Sequence, residues 1–567
     1  MNELYNRWLE SEALDEELRL ELLGMSDEQK FDAFYQELEF GTGGMRGVIG
    51  AGTNRLNILT VRRVAHGIAA YIQSLAQEES EKGFVIAYDN RRKSPEFAAE
   101  VAAVLSDCKI QVYLYAEPRT TPQLSFSVRE LGCSMGMMIT ASHNPPEYNG
   151  LKIYGPDGAQ LNLEDAEKVV ASIQQIGAPE SLDAPTYANK SVTKIGDELD
   201  TRYCSKVETV LFNKEKLQST SLRTLFTPLH GASGSTVRKI VDNLQVSNFA
   251  YVEEQMKPDG EFPTLTSANP EDESAFELAI QYGKHHQSDL LIAVDPDGDR
   301  VGLAVWHQGS YRLLNGNETG ALALHFILSQ HQKAGTLPEQ GYIYKTIVTS
   351  EMGRAIGESF GMTVEDVLTG FKFIGEKVRE NEHDPSYQFL FGYEESYGYL
   401  AKTFARDKDA IQLVFILTEM ASSYLERGMT LLDGLEELYE TYGVFKEKLI
   451  SVTVKGATGA DKISKALEMV RQEAPFEIAN SEVVYIEDYL SQVQKSRTRE
   501  KALSLPKANV LKFVLSDGTW VCLRPSGTEP KIKYYIGVHK STIEEATTRL
   551  NEVDSWVNSW MEMKLNS

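Results

Sequence analysis

The stretch Thr140-Ala141-Ser142-His143-Asn144-Pro145-Pro146 follows an apolar run, 135–139, and ends on two prolines. The run reads as a strand, and the prolines forbid a helix directly after it. The chain therefore turns at a strand end and presents one serine hydroxyl at the tip. A hydroxyl so placed is expected to be exposed and loosely packed, which suits a reacting group on which a phosphate could sit covalently. Taken alone, the segment fits a Ser/Asn-rich surface turn equally well.

Working outward, short apolar strands alternate with amphipathic helices through most of the chain. Runs 84–88, 135–139, 222–227, 290–294, 342–348 and 388–391 read as strands. Runs 94–105, 271–282 and 410–427 read as helices, and the alternation implies α/β layers. From about residue 449 the texture changes. Strands are expected over 449–454, 510–515, 520–523 and 532–538, with helices over 460–473 and 541–561, an α+β pattern. The expected division is 1–205, 206–315, 316–445 and 446–567: three α/β domains with mixed sheets, then an α+β domain. Residues 1–25 are rich in Glu and read as one amphipathic helix, not a signal peptide.

Composition excludes several classes. With 42% hydrophobic and 25% charged residues the chain is globular, and no apolar run is long enough to span a membrane. A formal charge of −25 disfavours nucleic acid and anionic membranes as partners. An anionic substrate then needs basic groups concentrated in loops. Cys108, Cys133, Cys204 and Cys522 lack CxxC spacing, which argues against a zinc site or a disulfide framework and fits a reducing cytoplasm.

A second constellation follows the strand at 290–294: Asp295-Pro296-Asp297-Gly298-Asp299-Arg300. Carboxylates at alternate positions of a turn can converge on one cation, and hard oxygen ligands suit Mg²⁺. An EF-hand reading fails, because Gly298 precedes the third acid and the twelfth position is Trp306. A solvated acidic turn is the plain alternative, although three crowded aspartates without a cation repel one another.

Two further loops carry recognition chemistry. Gly392-Tyr393-Glu394-Glu395-Ser396-Tyr397-Gly398-Tyr399 offers Glu394 and Ser396 for vicinal sugar hydroxyls, or is simply a helix N-terminal turn. Arg524-Pro525-Ser526-Gly527-Thr528-Glu529-Pro530-Lys531 offers a guanidinium fork, two hydroxyls and a glycine for phosphate, or is a plain proline hairpin. Gly41-Thr42-Gly43-Gly44-Met45-Arg46-Gly47 is not a dinucleotide fingerprint, since Arg46 fills the last glycine position and no strand precedes it. Arg406-Asp407-Lys408-Asp409 reads as a solvated helix start.

Together TASHNPPEYNG, DPDGDR, GYEESYG and RPSGTEPK resemble the α-D-phosphohexomutase superfamily, in particular its longer bacterial phosphoglucomutase branch, related to phosphopentomutases. The resemblance runs from Phe40 past Lys531. It implies four domains around a central cleft, with one loop from each. It implies Ser142 as the serine phosphorylated in the active enzyme, with Asp295, Asp297 and Asp299 holding Mg²⁺ together with an oxygen of that phosphate. Arg46, His143, Lys152 and Arg300 would line the reacting end, Lys152 moving a proton. Glu394 and Ser396 would read the sugar, with Thr369, Gly370, Lys372 and Lys408 as further sugar-phosphate contacts. Arg524, Ser526, Gly527 and Thr528 would hold the phosphate that is not transferred. One departure stands out: the dual mannose/glucose mutases carry histidine where this chain has Gly398.

The implied reaction interconverts glucose 1-phosphate and glucose 6-phosphate through glucose 1,6-bisphosphate, which also serves as activator. Phosphomannomutase and phosphopentomutase are the nearest alternatives. More remote are a phosphatase with an Asp nucleophile, whose DxDG loop normally continues with Thr and not Asp299, and a non-enzymatic sugar-phosphate sensor.

Overall fold

The computed structural model describes residues 2–41, 43–454, 459–526 and 531–566. They form two compact units, Met1–Thr319 with Phe371–Leu431 and Gly320–Gly370 with Leu432–Ser567.

The first unit contains two mixed sheets. In the six-stranded sheet the order is Gly44–Val48, Tyr148–Tyr154, Met135–Ile139, Phe84–Tyr88, Val112–Tyr115, Val192–Ile195. The strands Phe84–Tyr88 and Met135–Ile139 are buried throughout, as expected of parallel strands covered on both faces. Helices Ile58–Ser74 and Ser94–Asp107 supply one layer, with Val61, Ile68, Phe97 and Val101 in its core. The five-stranded sheet has the order Ser310–Leu314, Val301–His307, Leu290–Val294, Thr224–Thr227, Phe249–Tyr251. The same unit holds the hairpin Gln388–Glu394 with Gly398–Leu400 and the helix Ala410–Leu425, which is buried on nearly every face.

In the second unit Gly341–Thr346 and Thr363–Val367 pair in parallel. The terminal sheet is antiparallel, running Val444–Thr453, Lys531–Lys540, Trp520–Pro525, Leu511–Leu515, Ser481–Asp488 and two short strands. Helices Gly459–Gln472 and Ile543–Asn566 share its core through Leu467, Val470, Val553 and Val557. The change of texture expected near residue 449 is thus real, though the first strand starts at Val444.

Local chemistry moves several other boundaries. Residues 1–25 form two helices, Asn2–Glu10 and Glu16–Gly24: the Ser11 hydroxyl donates to the Glu180 carbonyl at 2.6 Å, and Asp15 caps the second helix through the Leu18 N–H. The helix expected over 271–282 begins as a 3₁₀ turn, Glu273–Phe276, and becomes α only at Glu277–His286; Glu271, just before it, is held by Arg300. The strand expected to reach 348 stops at Thr346, where the Thr349 N–H closes a turn on the Thr346 carbonyl.

Glu419, on the helix Ala410–Leu425, is 2% exposed and accepts the Phe212 and Asn213 N–H groups at 3.0 and 2.7 Å. Burial pushes its pKa up from 4.5 to about 7. A folded-state value above the unfolded one means that the native chain holds an extra proton between these two pH values. This group's contribution is therefore full below the unfolded pKa and declines as pH rises to about 7, by up to about 3 kcal/mol. Glu419→Gln, which cannot ionise, should flatten the fall in urea-unfolding free energy across this window. Equal slopes for both proteins would count against a protonated native Glu419.

Candidate active site

The loop Asp295–Arg300 joins the fully buried strand Leu290–Val294 to its antiparallel neighbour Val301–His307. Gly298 turns it with φ +74°, and a Cβ there would come within 2.6 Å of the Thr120 methyl. Three other segments hold its backbone: the Thr121, Ala232 and Ala410 N–H groups donate to the Asp297, Pro296 and Gly298 carbonyls at 2.8, 2.9 and 3.2 Å. The three aspartates are 0–1% exposed, and each offers a carboxylate oxygen within 4.8 Å of the others'.

Their partners divide the work. Asp295 Oδ1 accepts the Asp299 and Arg300 N–H groups at 3.0 and 2.8 Å. Asp297 Oδ2 accepts Thr121 Oγ1 at 2.8 Å and Lys152 Nζ at 2.7 Å. Asp299 Oδ2 takes Lys152 at 2.9 Å and Lys408 at 3.2 Å. Asp297 Oδ1 and Asp299 Oδ1 are buried and meet no hydrogen-bond donor among the described residues. Two orphaned hard oxygens beside Asp295 fit a divalent cation. Burial and the two neighbouring carboxylates push the Asp295 pKa well up. Burial also opposes ionisation of Asp297 and Asp299, but Lys152 outweighs it at Asp297, and Lys152 with Lys408 does so at Asp299 despite repulsion from Asp297.

Ser142 meets this loop directly. Its Oγ donates to Asp295 Oδ2 at 2.8 Å and lies 3.1 Å from His143 Nδ1. Contrary to the expectation of an exposed hydroxyl, the residue is 3% exposed. The cause is the turn itself. Ser142 has φ +54°, in the left-handed region, and its N–H donates to Thr140 Oγ1 at 2.8 Å. The chain then returns as the strand Tyr148–Tyr154, which carries Lys152 beside Met138 of the strand leading into the turn.

The basic groups converge as the motifs suggest. Arg46, on the strand Gly44–Val48, donates to Asn144 Oδ1 at 2.8 Å. Arg300 is paired with Glu271. Burial, with Arg300 and Arg46 next, holds His143 well below its ordinary pKa, so its imidazole is neutral. Burial opposes the charge on Lys152, but Asp297 and Asp299 more than offset it and keep the ammonium. Lys408 is not on a solvated helix start. Asp407 accepts Tyr154 Oη at 2.7 Å and Gln160 Nε2 at 2.9 Å, Asp409 caps the helix and accepts Tyr203 Oη at 2.8 Å, and Arg406 is 2% exposed.

Glu394 ends the strand Gln388–Glu394, and Ser396 lies in the hairpin turn, so this loop is a β-turn and not a helix start. The Val301 N–H donates to the Tyr397 carbonyl at 3.1 Å, which ties this turn to the strand after the aspartate loop. A Cβ at Gly398 would lie 2.2 Å from Lys408 Cδ and 3.6 Å from Glu394 Oε2. Lys372 opens the helix Lys372–Glu380, with burial lowering its pKa to about 8. Thr369 and Gly370 (φ +121°) precede it on the second unit. Arg524 and Ser526 also belong to the second unit. Arg524 lies opposite Lys533 in the hairpin, and the Ser526 N–H donates to the Lys531 carbonyl at 2.7 Å. Gly527 and Thr528 lie outside the described residues.

One group at the serine turn escaped the sequence reading. Arg91, 1% exposed, donates to the carbonyls of Ser142, Asn144, Pro145 and Tyr148, the last two at 2.9 and 3.1 Å. Asp89 accepts the Arg91 N–H at 3.0 Å and Ser94 Oγ at 2.7 Å. The signal was there: Asp89-Asn90-Arg91-Arg92-Lys93-Ser94 directly follows the all-buried strand Phe84–Tyr88.

Comparison with known proteins shows the family. Residues 37–180, 201–308 and 315–442 match domains I, II and III of the family described as phosphoglucomutase/phosphomannomutase, alpha/beta/alpha, and residues 469–554 match its C-terminal domain. A phosphoglucomutase of Staphylococcus epidermidis is 37% identical over 554 residues, covering 96% of this chain and 99% of its own. One from Staphylococcus aureus is 38% identical over 527 residues, 92% and 93% of the two chains. The crystal structure of a putative phosphomannomutase from Thermus thermophilus shares the fold, with a TM-score of 0.68 at 19% identity, over 93% of this chain and 99% of that one. The chain therefore belongs to the phosphoglucomutase/phosphomannomutase family of the α-D-phosphohexomutase superfamily, four-domain isomerases that use Mg²⁺ and act as intramolecular phosphotransferases.

Proposed function

We propose that this chain interconverts α-D-glucose 1-phosphate and glucose 6-phosphate through phosphorylated Ser142 and a glucose 1,6-bisphosphate intermediate. The observation that carries the reading is the 2.8 Å contact of Ser142 Oγ with Asp295, inside a trio of buried carboxylates with two oxygens left for a cation. The phosphoglucomutases that match over nearly the whole chain support the same reading. Mg²⁺ would be held by Asp295, Asp297 and Asp299 and would supply positive charge to the phosphate on Ser142.

The protein's own residues do the rest. Arg46, Arg300 and Lys408 offset the charge of the transferring phosphoryl group. A sugar hydroxyl oxygen bonds to phosphorus as the Ser142 Oγ–phosphorus bond breaks. Lys152, present as the ammonium, gives its proton to Oγ, and the resulting amine takes that of the incoming hydroxyl. The bisphosphate then turns and returns its other phosphate to Ser142. Glu394 and Ser396 read the hydroxyls, and Thr369, Gly370, Lys372 and Lys408 are further sugar-phosphate contacts. Arg524, Ser526, Gly527 and Thr528 hold the phosphate remote from the chemistry. We divide the chain at 1–205, 206–315, 316–445 and 446–567, one loop of the site in each, and place it in the cytoplasm, where its cysteines stay reduced. Among the described residues no helix is long and apolar enough to cross a membrane.

Gly398 favours glucose over a dual glucose/mannose role, since the dual mutases carry histidine there; in this chain a side chain at that place would meet the stem of Lys408. Assays in parallel with glucose, mannose and ribose 1-phosphates, each primed with its bisphosphate, decide between the mutases. Release of inorganic phosphate would favour a phosphatase instead, and binding without turnover a sensor. Ser142→Ala should cost on the order of 10³-fold or more in kcat, the scale of removing a nucleophile, and abolish the phosphate adduct in the intact mass. A variant with near-normal rate refutes the assignment. Arg524→Ala should raise KM about ten- to a hundredfold, the worth of one charge-assisted contact, without weakening Mg²⁺ binding. An equal loss of metal affinity speaks against its role.

A further inference from the structure

Arg91 holds the serine turn, but what holds Arg91? Its guanidinium carbon lies 5.0 Å from the centroid of the Phe262 ring, and Phe262 is itself 4% exposed. Arg91 Nε is buried without a hydrogen-bond acceptor and sits 3.3 Å from Asp89 Oδ2 in an ion pair. The planar fork thus spends its Nη hydrogens on four carbonyls, while its Nε edge and face are met by a carboxylate and an aromatic ring.

The loop carrying Phe262 is built to place that ring. The Asp259 N–H donates to the His230 carbonyl at 3.0 Å, the Phe262 N–H to Asp259 at 3.2 Å, and the Leu265 N–H to Phe262 at 2.9 Å. Phe262 has φ +49°, rare for an aromatic residue. Gly260 lets the loop lie against the Arg91 segment, since a Cβ there would stand 2.6 Å from the Asn90 carbonyl oxygen and 2.9 Å from the Arg92 nitrogen. Glu261 pairs with Arg92 beside it.

We propose that Phe262 is a positioning residue for Ser142: its ring fixes the Arg91 guanidinium on the four carbonyls of the turn and so keeps the hydroxyl on Asp295. A residue that merely filled space would tolerate another apolar side chain of similar bulk, whereas a cation–π role requires an aromatic face. The kinetic part of the test rests on the reading of Ser142 as nucleophile. The structural part does not.

The test compares Phe262→Leu with Phe262→Tyr in the full chain. Phe262→Leu is expected to speed amide hydrogen exchange in peptides covering residues 140–148 and to lower kcat, each by about tenfold, the upper range of one such contact, with KM changed less than about twofold. Phe262→Tyr should match the wild type in both. Unchanged exchange in that segment with Leu, or equal behaviour of Leu and Tyr, overturns the proposal. If Phe262→Leu fails to fold, Arg91→Lys, which keeps the charge and loses the fork, must raise exchange in the same peptides, and no change there overturns it. If intact mass shows no phosphate on the wild-type protein, the kinetic part falls with the phosphoserine reading, and the exchange result alone decides.

Discussion

Three carboxylates buried within 4.8 Å of one another are the constraint that the active-site half of this protein is arranged around. Buried and uncompensated they would repel strongly. The chain offsets them in three ways: backbone N–H groups aimed at Asp295, the Lys152 ammonium bridging Asp297 and Asp299, and Lys408 on Asp299. Each device recruits a different stretch of sequence. Lys152 needs the returning strand Tyr148–Tyr154, Lys408 needs the clamped segment before the helix Ala410–Leu425, and the N–H groups need the left-handed turn at Gly298. Convergence of distant segments is thus an electrostatic requirement as much as a packing outcome.

The serine turn answers a second demand. A left-handed, non-glycine residue costs of order 1–3 kcal/mol and persists only where its surroundings over-determine it. Here they do. Thr140 accepts the Ser142 N–H, Arg91 takes the carbonyl, and Asp295 takes the hydroxyl. All three polar groups of the residue are spoken for, so the hydroxyl has one address before any substrate arrives. Such preorganisation suits phosphoryl transfer, where positioning and charge supply nearly all of the rate.

The strands of the α/β layers were legible because each is a short apolar run bounded by polar turns, as 84–88, 135–139 and 290–294 show. The site motifs were legible because their chemistry is local: Asp295, Asp297 and Asp299 are spaced along one turn. Burial of Ser142 was not legible. It depends on a left-handed turn whose carbonyl is held by Arg91 and whose hydroxyl is held by Asp295, both dozens of residues or more away. The hairpin character of the Glu394 loop was hidden for a similar reason, since pairing with Gly398–Leu400 is a property of the partner strand. Arg91 itself reads as one more charge in a polar run; only its four carbonyl partners distinguish it from Arg92 and Lys93, which pair with exposed glutamates.

Charge also explains why a chain of net −25 can handle an anion. The trio carries three negative charges when fully ionised, and Lys152 and Lys408 return two, leaving roughly one. Phosphorylation of Ser142 would add about −1.5 to −2 more, close to what one divalent cation removes. The phosphate therefore needs the cation: phosphoserine alone would leave the buried site at about −2.5 to −3, and the two together at about −0.5 to −1. Lys152 and Lys408 alone thus leave a phosphorylated site short of positive charge, which suits a metal beside the phosphoserine, and Gly398, by leaving room for the Lys408 stem, keeps the second lysine in place.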